Sequence, residues 1–101
     1  MTIEVLYVPG CPNYQRAVER LQTVLASQSV REEIHGVAVS TEAQAKALLF
    51  PGSPTIRING EDVEPNQTGG AGMACRLYAN RSGVPSEEVL KLAILEAKRK
   101  E

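Results

Sequence analysis

Val5-Leu6-Tyr7-Val8-Pro9-Gly10-Cys11-Pro12-Asn13-Tyr14 is the stretch that decides the reading of this chain. Four consecutive apolar residues run into a Pro-Gly turn, a cysteine follows, and a helical pattern begins. A strand apolar on both faces suits a central position in an α/β sheet with both sides covered. Pro12 suits the first turn of a helix, where its missing N–H costs nothing. A cysteine between such a strand and helix lies near unpaired amides and the positive end of the helix dipole. That setting favours the thiolate, which is the nucleophilic form. Cys11 is therefore the candidate nucleophile; the plainer alternative is a free cysteine packed as a small hydrophobe.

Outward from Cys11, Ala17, Val18, Leu21, Val24 and Leu25 form one apolar stripe at helical spacing, which predicts a helix from Asn13 to about Ser27. Ser29 to Val39 reads as a second strand with an irregularity near Gly36. Thr41 and Gln44 have the spacing of a capping box, and Phe50-Pro51-Gly52 ends the short helix that follows near Leu49. Ile56 and Ile58 alternate as in a strand, and Asn59-Gly60 is a hairpin signal. The return strand is open between Asp62-Val63-Glu64 and Met73–Tyr78, with 66–72 as loop between them. Ser86 is the expected cap of a last helix with Val89, Leu90, Ala93, Ile94 and Ala97 on its buried stripe. The expected helices have about 15, 9 and 14 residues, with boundaries uncertain by a few residues. The predicted order is β-α-β-α-β-β-α: an α/β fold with a four-stranded mixed sheet, helices on both faces and a parallel, right-handed first crossover.

The chain has 101 residues, 43% of them hydrophobic, which suits a single domain over 1–101. The net charge of −1, with acids and bases interspersed, argues against nucleic-acid and membrane-surface binding, which need a basic footprint. No apolar run approaches a membrane span, and Met1-Thr2-Ile3-Glu4 lacks a signal-peptide pattern, so a cytoplasmic location is expected. Two cysteines are too few for a disulfide scaffold, and His35 alone offers little help toward a zinc site. No cofactor is expected. The glycines at 69, 70 and 72 lack the spacing and lysine of a phosphate loop.

Two motifs give the chain a resemblance to the thioredoxin-like fold family over nearly its whole length. Gly10-Cys11-Pro12-Asn13-Tyr14 stands where that family has Cys-x-x-Cys, and Gly52-Ser53-Pro54-Thr55 is similar to its cis-proline loop. The resemblance implies a cis proline at Pro54 facing Cys11, and a Ser53 backbone that pairs with extended substrate. Tyr14 replaces the second cysteine, so the chain is more similar to single-cysteine variants such as monothiol glutaredoxins. It also resembles small bacterial thioredoxin-like proteins, some labelled alkylmercury-lyase-like.

From this the site is Cys11 as nucleophile, Cys75 as a resolving cysteine, and Ser53, Pro54 and Tyr14 as substrate-binding residues. The partners would be protein or small-molecule thiols and disulfides, glutathione among them. Plainer readings stand beside these: Cys75 as a core thiol, Tyr14 as a surface aromatic, His35 as structural, Arg76 as a solvated or ion-paired surface residue. Two other functions stay open: a non-enzymatic binding or adaptor module on the same frame, and soft-metal handling of mercury or copper through Cys11 and Cys75. The oligomeric state is open.

Overall fold

A computed structural model of the chain describes residues 1–65 and 73–101. The sequence-predicted loop at 66–72, with its three glycines, lies outside the described residues. The elements are β1 (Ile3–Tyr7), α1 (Tyr14–Ser27), β2 (Ile34–Ala38), α2 (Glu42–Ala47), β3 (Thr55–Ile58), β4 (Glu61–Asp62) and α3 (Glu87–Arg99). They form an α/β fold with a four-stranded mixed sheet in the order β2-β1-β3-β4. β1 is central: it pairs parallel with β2 from Ile3↔Ile34 to Tyr7↔Ala38, and antiparallel with β3 from Ile3↔Ile58 to Leu6↔Thr55.

The alternation of β1 sorts the core. Ile3 and Val5, with Ile56 and Ile58 of β3, face Ala17, Leu21, Val24 and Leu25 of α1 and Leu90, Ile94 and Ala97 of α3. Leu6 points to the opposite face and packs with Val39, Ala45 and Phe50, the part of the core that α2 brings. Each such fully buried aliphatic or aromatic side chain contributes about 1.5–3 kcal/mol of transfer free energy. Glu4 shares the α2 side of the sheet with Leu6 and is half-buried. There Glu4 sits between His35 and Arg57, and Arg57 pairs in turn with Asp62, so a charged row crosses the sheet.

Local chemistry explains most boundaries. The Thr41–Gln44 capping box is formed, with Gln44 N donating to Thr41 Oγ1 at 3.1 Å and Thr41 N to Gln44 Oε1 at 3.2 Å. Ser86 caps α3 by accepting from Val89 N at 3.1 Å. Asn59 and Gly60 both have positive φ (53° and 81°), the conformation that closes a two-residue hairpin between β3 and β4.

Three expectations are corrected. α1 begins at Tyr14, with Asn13 as N-cap, so Pro12 precedes the helix rather than occupying its first turn. The second strand is shorter than 29–39: Ser29, at φ 56°, ends α1 in a left-handed turn, and β2 starts only at Ile34. Gly36 is not an irregularity, because it pairs in register with Val5. It is glycine for a steric reason: a Cβ there would overlap the Tyr14 hydroxyl and lie 3.4 Å from Tyr14 Cζ.

Candidate functional site

The site begins with two tight turns. Cys11 N donates to Val8 O at 3.0 Å, closing a turn over Pro9 and Gly10, with Gly10 at φ +88°. Proline followed by a residue at positive φ is the chemistry of a type II turn, and glycine makes that φ available without steric cost. A second turn follows, in which Tyr14 N donates to Cys11 O at 3.3 Å, and α1 starts from it. Cys11 thus precedes the helix by two turn residues and is half-buried. Asn13 makes no side-chain cap bond. It packs instead against Gly83, where a Cβ would overlap its amide.

The loop before β3 meets these turns. The Ser53–Pro54 peptide is cis, and both residues are buried. Ser53 Oγ accepts from Val8 N at 3.0 Å, so the loop is tied to the residue whose carbonyl holds Cys11. On its other side Ser53 N donates to Ala74 O at 3.0 Å, and Arg76 N donates to Ser53 O at 3.0 Å, a parallel bridge that puts Cys75 opposite Ser53. A short relay of bonds therefore links the two cysteines across one end of the sheet, through Val8 and Ser53. Both thiols are free.

The Cys75 segment is extended and inverted in polarity. Arg76 and Tyr78 point inward, whereas Cys75 and Leu77 point to solvent, Leu77 with 63% exposure. Cys75 is not a core thiol, and Arg76 is not a surface residue. Arg76 Nη1 bonds Asp62 Oδ2 at 2.7 Å and Thr55 Oγ1 at 3.2 Å, and Nη2 bonds Glu64 O at 2.6 Å. Its guanidinium lies 4.3 Å from the centre of the Tyr78 ring, within cation–π range. The Tyr78 hydroxyl donates to Pro54 O at 2.6 Å. Burial raises the Tyr78 pKa well above that of an ordinary phenol; the Arg76 charge opposes the shift, and Asp62 and Glu64 reinforce it.

No family model, curated protein or solved structure matches the chain. The site is therefore read from its own chemistry. Cys11, Ser53, Pro54 and Cys75 come together at one end of the sheet. Tyr14 is committed elsewhere: its ring stacks on Tyr7 with centroids 3.9 Å apart, and its hydroxyl lies against Gly36 of β2. His35 is exposed on β2. A groove of about 760 Å³ lies between Tyr14, Val18 and Leu25 of α1 and the 29–34 connection, and its lining includes neither cysteine. Among the described residues no group of three or more His, Cys, Asp or Glu side chains could hold a metal ion, and no helix is long and apolar enough to cross a membrane.

Sequence reasoning missed the Arg76–Asp62–Tyr78 network. Its one legible signal is the two-residue spacing of Arg76 and Tyr78, which puts both on the same side of an extended segment.

Proposed function

We propose that the chain is a thiol–disulfide oxidoreductase-like protein on a thioredoxin-like frame, with Cys11 as the nucleophile, Cys75 as the resolving thiol, and Ser53 and Pro54 shaping the contact with substrate. The observation that supports the reading is the bond relay Cys11–Val8–Ser53–Ala74/Arg76, which ties the backbone at Cys11, half-buried, and the backbone on either side of Cys75, exposed, to the one loop at Ser53.

The chemistry balances as two exchanges. The Cys11 thiolate attacks one sulfur of a substrate disulfide; a Cys11 mixed disulfide forms, and one substrate thiolate leaves and takes up a proton. The Cys75 thiolate then attacks Cys11 Sγ, forming the Cys11–Cys75 disulfide and releasing the second substrate thiol. The substrate gains two electrons and the protein loses two. Two molecules of an external thiol of the glutathione class return the protein to its dithiol form and leave as their own disulfide.

The test is reaction of the reduced protein with a disulfide, followed by intact-mass measurement. The wild type is expected to lose two hydrogens without retaining an adduct, Cys75→Ser to retain the mixed disulfide on Cys11, and Cys11→Ser to react no faster than its exposed Cys75 alone. Equal rates for wild type and Cys11→Ser refute the proposal. That result favours a non-enzymatic binding module, a reading that draws support from the packing role of Tyr14 at the position of a second motif cysteine.

A further inference from the structure

We infer that Cys11 serves small disulfides rather than disulfides carried on extended polypeptide, because the chain's own residues 74–76 fill the strand-edge slot beside it. The inference rests on the proposed thiol chemistry of Cys11 and adds its substrate class.

A strand edge with unpaired N–H and C=O groups takes an extended backbone, which is how sheets capture peptide segments. The edge tied to Cys11 is the extended backbone at Ser53, just before β3, one bond from Val8 and two from Cys11. β4 is too short to cover it, since Glu61–Asp62 pairs only with Ile58 and Arg57. Both backbone groups of Ser53 are instead satisfied by Ala74 O and Arg76 N.

Three further attachments hold this segment down. Arg76, 3% exposed, is anchored to Asp62 and to Glu64 O, and Tyr78 is anchored to Pro54 O. An incoming peptide would have to break both Ser53 bonds and lift a buried guanidinium away from its carboxylate before pairing. A small disulfide needs no backbone pairing and meets neither barrier.

The test compares 2-hydroxyethyl disulfide with an unstructured peptide whose single cysteine is capped with 2-mercaptoethanol, and counts by intact mass only the Cys11 adducts formed with loss of 2-mercaptoethanol. Rates of Cys11 mixed-disulfide formation are measured on Cys75→Ser protein and divided by the rates of N-acetylcysteine with the same substrates. The normalised preference for the small disulfide is expected to be about tenfold or more, the scale set by the need to open a hydrogen-bonded segment first. The preference should fall in Arg76→Gln and in Tyr78→Phe, the milder change if the first variant does not fold. If Cys11 outpaces N-acetylcysteine equally on both substrates, or prefers the peptide, the inference is overturned and the thiol chemistry stands. If Cys11 outpaces N-acetylcysteine on neither, the thiol chemistry itself fails and the inference falls with it.

Discussion

Asp62→Ala tests whether the Cys75 segment is held by charge. In the native fold Asp62 Oδ2 accepts from Arg76 at 2.7 Å and Asp62 Oδ1 accepts from Glu64 N at 2.9 Å. The Arg76 side chain is 1% exposed and that of Asp62 16%. Removing one partner of a buried pair costs about 3–5 kcal/mol, because the other charge stays buried and uncompensated. Two observations put the cost near the lower end. Asp62 already meets some water, and the guanidinium keeps Glu64 O and Thr55 Oγ1. One observation works the other way: among the described residues Arg76 Nε has no hydrogen-bond partner.

Adding about 1 kcal/mol for the lost bond to Glu64 N to about 3 kcal/mol for the pair gives a total of about 4 kcal/mol. Asp62→Asn loses the charge and leaves one carbonyl oxygen, which can accept from Arg76 or from Glu64 N but not from both, so about 2–3 kcal/mol is expected. Urea unfolding followed by circular dichroism measures both. With a slope of about 1.5 kcal/mol per molar, the midpoint should fall by about 2.5 M for alanine and about 1.5 M for asparagine. The reasoning is refuted if alanine lies within about 1 kcal/mol of wild type, or costs no more than asparagine.

Two further outcomes follow from the same packing. Tyr78 is held neutral by burial, with its pKa raised in the folded state, so above about pH 10 the unfolded chain releases a proton that the folded chain keeps. The Tyr78 contribution is thus intact below that pH and is lost as pH rises, by up to about 1.4 kcal/mol per pH unit; urea midpoints at pH 8 and pH 10.5 should therefore fall further for wild type than for Tyr78→Phe. Gly36→Ala puts a methyl into the Tyr14 hydroxyl and should cost about 1–3 kcal/mol, as overpacking does. Most of that loss should return in Gly36→Ala/Tyr14→Phe, measured as a double-mutant cycle in thermal unfolding.

The fold was legible where local chemistry and pattern agree. The Val5–Val8 run marked a strand with neighbours on both sides, and the Thr41, Ser86 and Asn59-Gly60 signals each sit where their hydrogen bonds or φ values require. The start of α1 was misread because Pro12 is equally at home in the turn that precedes a helix. The irregularity assigned to Gly36 came from reading glycine as a backbone signal, when its cause is a tyrosine from another element. Cys11 stood out because a Pro-Gly turn and a helix start flank it, whereas Ser53 and Pro54 were singled out by the resemblance of Gly52-Ser53-Pro54-Thr55 to a cis-proline loop. The burial of Arg76 was not legible: an arginine among apolar residues reads as exposed until its carboxylate is known, and Asp62 lies 14 positions away on a two-residue strand.

The charged row across the sheet has a consequence for folding fidelity. Short strands slip easily when both of their faces are alike, and a slip of one residue exchanges the faces. In β1 such a slip would carry Glu4 into the layer between the sheet and α1 and α3, where Ile3 and Val5 now sit, and would bring Ile3 and Val5 out beside His35 and Arg57. The same error in β3 would turn Arg57 inward. One carboxylate and one guanidinium in adjacent strands therefore act as an indexing mark, penalising a one-residue slip in a sheet whose strands are no longer than five residues.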